Sequence, residues 1–296
     1  MSASSERVGA TDARRRKWLR SLLASWTGIA GVVIVSLMLV VTIFGDALAP
    51  HDPVQHNLRS RFAPPGHTDA NGTYLLGTDQ LGRDILSRIV AGTRISVIIG
   101  VASVLIAGAI GVVYGLIAGF FGGWIDDFLM RFADAFLAIP FIVLVVAAAG
   151  VLGAGLGTLI LILGFTRWVT YARVVRSETL AAREFEYVTA ARALGQSNLL
   201  IMFRHILPNV TASILVLATL MIATTVLAES ALSFLGLGVQ PPTITWGLML
   251  SDGRQYIGSA WWMTTFPGIA ITITVLGVVF LGDWLRDVLD PRLQGR

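Results

Sequence analysis

GVLGAGLG, residues 150–157, lies inside an apolar region that runs from about Phe128 to Tyr171. About 20 predominantly apolar residues suffice to cross a bilayer, so this region is too long for one span. Read as a tight reversal, its four glycines divide the region into two spans. Read as small residues that let helices pack closely, they leave a single one. Four other stretches qualify, residues 26–45, 95–121, 210–228 and 262–282, and the choice between six spans and five turns on this octapeptide.

Basic residues decide between the two. With the reversal and both termini in the cytoplasm, 15 Lys and Arg face the cytoplasm and six face outward, with Arg167 inside a span. Without it the tally is 8 inside and 13 outside. The positive-inside rule selects six spans with cytoplasmic N and C termini, an all-α polytopic membrane protein. Trp26, Trp124 and Trp284 then fall at inner boundaries, and Trp261 and Trp262 at an outer one.

Composition agrees with a life in the bilayer. Hydrophobic residues make up 55% of the chain and charged residues 14%, against roughly 25% charged in soluble domains. The net charge is only +4, and nothing supports nucleic-acid binding. The chain has no cysteine, which removes disulfides, thiolate metal sites and cysteine nucleophiles. Its single lysine, Lys17, sits in the basic cluster RRRKWLR, so no GxxxxGK[ST] phosphate loop can follow it. Nucleotide energy, if used, must come from another chain. Ala47-Leu48-Ala49 resembles a signal-peptide cleavage site, but the apolar run before it is longer than the ~7 to 15 residues of such a signal, and Pro50 follows directly. The expectation is a retained first span.

This topology gives a cytoplasmic tail (1–25), a first span with an external segment (26–94) and a transmembrane domain (95–296) holding a cytoplasmic loop at about 173–208. The external segment is rich in proline, glycine and histidine up to Gly77, which predicts irregular structure. After it, DQLGRDILSRIVAGTR puts Ile85, Leu86, Ile89 and Val90 on one face, with Arg83, Ser87 and Arg94 away from it, and predicts an interfacial helix. The cytoplasmic loop reads as a helix over 173–194, a left-handed turn at Gly195, and a short helix capped by Ser197 or Asn198 that ends before Pro208. Small residues at the bend, Ala190, Ala191 and Ala193, permit close approach by a partner surface, although an ordinary connecting loop explains the same composition.

In EYVTAARALGQSNLLIMFRHILPN, residues 186–209, Ala190, Ala191, Gly195, Leu207 and Pro208 stand at the spacing of the coupling loop of importer-type ABC permeases, which this stretch resembles. Thr189 replaces the pattern's glutamate and His205 its isoleucine. LGTDQLGRDILSRIVAGTRIS (76–96), ESALSFLGLGVQPPTITWG (229–247) and GDWLRDVLDPR (282–292) are similar to the C-type permease subunit of dipeptide, oligopeptide and nickel importers. The resemblance implies a type I ABC importer architecture and a heterodimer with a related B-type permease. It also implies two ABC ATPases carrying ATP and Mg, an extracytoplasmic peptide-binding protein and a place in the bacterial plasma membrane. ATPase contact would fall on Glu186, Thr189, Ala190, Ala191, Arg192, Gly195, His205, Leu207 and Pro208.

Glu229, Thr219 and Thr224 are candidates for the substrate path or an outer gate, and helix packing explains each of them as well. Arg167 is expected to snorkel to the cytoplasmic interface. Asp126, Asp127, Arg131 and Asp134 are expected to pair locally, and His51, His56 and His67, which lack metal-ligand spacing, to be solvated. No cofactor or metal is expected on this chain. The leading function is an ATP-driven peptide import permease without catalytic chemistry. The alternatives are a permease for nickel or another small solute and, in a different class, a channel or membrane enzyme that acts without partners. HExxH and GxSxG motifs are both absent.

Overall fold

The computed structural model describes residues 21–153 and 155–289. The basic cluster RRRKWLR and the last seven residues fall outside them. The architecture is helical, with α1 (Trp26–Leu48), α2 (Ile85–Phe121), α3 (Gly123–Leu137), α4 (Phe141–Leu152) and α5 (Leu156–Ala182) in its first half. After these come α6 (Glu186–Ala193), α7 (Asn198–Ile201), a π turn (Met202–Ile206), α8 (Leu207–Phe234), α9 (Trp246–Gly253) and α10 (Trp262–Leu289). A two-stranded hairpin, β1 (His67–Asp69) and β2 (Gly72–Tyr74), sits between α1 and α2.

A reversal does occur at the glycine-rich octapeptide. Gly153 ends α4 with φ +80°, a conformation that a Cβ disfavours, and α5 begins at Leu156. Among the described residues five helices are long and apolar enough to cross a membrane, counting the continuous stretch Asn198–Phe234 as one. The sixth expected span is not a straight helix: α3 and α4 meet at an 80° bend. Pro140 accounts for it, since proline disfavours the α conformation at the residue before it and cannot donate a backbone hydrogen bond.

The helix expected at the end of the segment before the second span leads directly into the next apolar stretch. Asp84 caps α2 by accepting from Ser87 N at 2.9 Å, and the helix runs on unbroken for 37 residues, about 55 Å. Ser87 and Arg88 are buried, not turned to solvent. Small residues set the closest approach in the bundle. Gly111, Gly115 and Gly119 lie one turn apart on α2, and a Cβ on any of them would collide with the backbone of α5 between Trp168 and Arg176 or with Thr179.

The segment between α1 and α2, expected to be external and irregular, is folded. The β1–β2 hairpin packs under a loop that is closed by hydrogen bonds from Asn57 Nδ2 to Asp69 Oδ2 (2.7 Å) and the Tyr74 hydroxyl (3.0 Å). Trp262, expected at the membrane boundary, is buried and donates to Thr78 O at 3.0 Å. Beneath it Arg88, 2% exposed, lies 3.3 Å from Asp79 and 3.4 Å from Asp252, which joins this segment to α9. Burial pushes the Asp252 carboxyl above the usual range against the pull of Arg88 and Arg83. His51 is not simply solvated: its ring stacks on Tyr74 at 4.7 Å and lies 3.5 Å from Asp84.

Candidate functional site

The loop expected on the cytoplasmic side begins where α5 stops. The helix expected over 173–194 breaks at 183–185, and α6 starts at Glu186. Arg183 holds the corner by donating to Gly119 O at 3.0 Å and to Glu184 at 3.0 Å. The end of α6 is a Schellman turn: Gly195, φ +76°, donates to Arg192 O (3.0 Å) and Gln196 N to Ala191 O (3.2 Å). Ser197 then caps α7 through Leu200 N.

The short helix does not end before Pro208. It passes through the π turn, where Leu207 N–H donates to Met202 O, and continues as α8. Pro208 lacks the N–H that an α turn would require, and the wider turn accommodates it. Asn209 Nδ2 donates to His205 O at 2.6 Å and to the Tyr187 hydroxyl at 2.9 Å. Burial raises the Tyr187 phenol pKa, opposed by that bond.

Two faces result. Val188 and Ala191 bury against Leu116 and Phe120 of α2, Val175 of α5 and Ile206. Ala191 is 5% exposed, so it faces this chain's core and not a partner, contrary to the expectation for it. Glu186, Thr189, Ala190, Arg192, Gly195 and Pro208 are exposed, and Leu207 is half-buried. Arg192 lies over the Phe120 ring, 5.5 Å from its centroid. His205, at the pattern's isoleucine position, bonds Gln196 through Nε2 at 2.9 Å. Around them stand apolar side chains that composition alone did not single out: Leu194, 81% exposed, with Leu199, Phe203 and Tyr187.

The mount beneath this surface is stiff. Asp126 of α3 pairs with Arg176 of α5 through two bonds, one of them 2.6 Å, and Asp134 pairs with Arg173 at 2.6 Å. These carboxylates were expected to pair locally with Arg131. They reach α5 because α3 packs against it through Ala133, Phe132 and Phe136. Tyr114 adds a bond to Leu129 O at 2.8 Å.

The membrane candidates separate. Glu229 is fully buried and accepts from Ser233 (2.8 Å) and Ser230 (3.4 Å). Thr219 packs over Gly282 of α10 and donates to Val216 O at 2.7 Å, a helix-packing position. Thr224 is exposed and bonded to Arg167 Nη1 at 2.8 Å. Arg167 thus turns across to α8 and does not snorkel. Among the described residues no group of three or more His, Asp or Glu side chains could hold a metal ion.

Residues 111–295 match the family described as the binding-protein-dependent transport system inner membrane component. The chain belongs to this family. A second match covers residues 14–65, to the N-terminal transmembrane domain of oligopeptide transport permease C. The permease is 39% identical to the di/tripeptide transport system permease protein DppC of Pseudomonas aeruginosa over 90% of this chain and 88% of that protein. It is likewise 39% identical to the dipeptide transport system permease protein DppC of Bacillus subtilis (93% and 85%) and 37% identical to the glutathione transport system permease protein GsiD of Pectobacterium atrosepticum (94% and 91%). Its fold is similar to a chain of the MetNI methionine ABC transporter, solved in inward facing conformations, with a TM-score of 0.57 at 20% identity over 70% of this chain and 98% of that one. The permease is a multi-pass protein of the bacterial inner membrane.

Proposed function

We propose that this permease is the C-type membrane subunit of an ATP-driven importer that carries dipeptides or short oligopeptides inward by alternating access. It would span the membrane six times, the bent α3–α4 pair serving as one span, with both termini cytoplasmic. It would pair with a B-type permease and receive cargo from an extracytoplasmic binding protein. Two ATPase subunits would bind the ATP and Mg that this chain has no loop to hold. The cargo named for its relatives supports the peptide assignment.

The observation that carries the coupling role is the two-sided build of α6. Its inner face is locked into the core through Val188 and Ala191, while its outer face presents Ala190, Thr189 and the rim of Leu194, Leu199 and Phe203. Moving a two-state transporter from 1:99 to 99:1 takes about 5.5 kcal/mol of differential stabilisation, which a loosely hinged contact would dissipate. The test is mild-detergent isolation from the native membrane, with mass spectrometry of what co-purifies. Recovery of ATPases, a second permease and a binding protein, lost on Ala190→Arg or Gly195→Trp, is the expected result. A chain that comes out alone and acts alone would return the channel and enzyme readings to the front.

A further inference from the structure

Arg167 is the twelfth residue of α5, roughly 16 Å from that helix's outer end and so near the middle of a hydrocarbon core about 30 Å thick. Its neighbours on the same helix, Arg173 and Arg176, each hold a carboxylate. Arg167 has no such ion pair among the described residues. Its Nη1 donates to the Thr224 hydroxyl at 2.8 Å, its Nη2 to Thr224 O at 3.3 Å, and its Nε is buried with no partner. A charge at membrane depth held only by one neutral residue is costly, and such charges sit at ligand or ion pathways.

The surroundings supply a pathway. Between α5, α8 and α10 the cytoplasmic half holds a groove of about 770 Å³, the size of a small-ligand cavity. Val174 and Glu178 line it from α5, and Ser213, Leu217 and Leu220 from α8. Arg167 lies two turns beyond Val174 and Thr224 one turn beyond Leu220, so they continue the same two stripes toward the membrane centre. Glu178, bonded to Ser213 at 3.0 Å, stands about 16 Å from Arg167 along the helix. Glu178 and Arg286 of α10 both line its cytoplasmic end, so their charges offset there, and Arg167 stands at the membrane-centre end of the two stripes.

We propose that Arg167 and Thr224 form a carboxylate site at the inner end of this groove and that it takes the carboxyl group of the carried peptide. The inference rests on the peptide import reading. The guanidinium fork matches a carboxylate's two oxygens, and the Thr224 contacts it would exchange are neutral ones. A carboxylate from the neighbouring permease subunit would satisfy the same chemistry, so the test must separate the two sources.

The chain has no native cysteine, so Leu220→Cys places a single thiol one turn from Thr224 without touching the Arg167 contacts. In the transporter as purified from its native membrane, this thiol is labelled with an anionic and with a cationic methanethiosulfonate. The anionic reagent is expected to react on the order of tenfold faster. Arg167→Gln should erase that preference, and peptide-loaded binding protein with ATP should slow the labelling. Arg167→Gln alone should cut peptide uptake about tenfold while leaving subunit assembly intact, with Arg167→Lys partly restoring uptake. Equal rates for the two reagents would mean that a neighbouring subunit's carboxylate already neutralises Arg167, and would overturn the proposal. So would an unreactive thiol, or wild-type uptake by Arg167→Gln. If the unaltered transporter carries no peptide, the import reading fails, while the labelling preference still reports whether Arg167 attracts anions.

Discussion

The Asp126–Arg176 pair is half-sheltered at the inner end of α5, and two hydrogen bonds fix its geometry. Removing the cation alone would leave a desolvated carboxylate facing nothing. Arg176→Ala is therefore expected to cost about 1–3 kcal/mol, read as lower thermal stability in detergent, and Asp126→Ala/Arg176→Ala less than the sum of the single changes. At Gly115 a Cβ would lie 2.5 Å from Ala172 O and 2.9 Å from Arg176 N. Gly115→Ala should cost 1–3 kcal/mol or more by overpacking, and Gly115→Leu should abolish membrane accumulation of folded protein. Single residues were partly legible in the sequence. Gly195 and Ser197 announce a turn and a cap by their chemistry, and both take those positions. Ala191 could not be oriented from its neighbours, because an alanine-rich helix has no apolar stripe to tell inside from outside.

Elements were more legible where apolar length spoke and less where a break was decided by a few contacts. The Gly153 reversal follows from glycine chemistry and basic-residue counts together. The 80° bend after α3 was hidden because the sequence stays apolar on both sides of Pro140, although the proline itself was the available signal. The external hairpin was missed because its order comes from side chains distant in sequence, Asn57, Asp69 and Tyr74. Asp69 is held below the usual carboxylate range chiefly by the Ser60 hydroxyl, then by the backbone N–H of Asn71 and the Asn57 amide. A lowered folded pKa contributes stability above the unfolded value, about 3.9, and loses it as pH falls through the folded value. Hairpin amide exchange, corrected for intrinsic rate, should accelerate only below about pH 4, and Asp69→Asn should remove that step.

Across the whole molecule, the two ends of the helix bundle are built differently. At one end, Arg88 and Arg83 hold the buried Asp79 and the half-buried Asp252 in a cluster that binds the segment between α1 and α2 to α9. Arg88→Ala would leave Asp79 and Asp252 to Arg83 alone, 2.6 Å and 3.6 Å away, at an expected cost of about 1–3 kcal/mol, with faster proteolysis of the segment between α1 and α2 in membrane vesicles as the readout. At the other end, an apolar core under α6 is reinforced by ion pairs at its edge. One helix takes part in both. Arg88 belongs to the first turn of α2, and Leu116 and Phe120, which support Val188 and Ala191, belong to its last two. No proline interrupts the 37 residues, so α2 can tilt or slide but cannot shorten. For a permease driven as proposed, this makes α2 a strut, and thermodynamic reciprocity gives its traffic two directions. Whatever free energy nucleotide closure would deliver to the far end of α2, any ligand that binds at that end would return to the nucleotide side in equal measure.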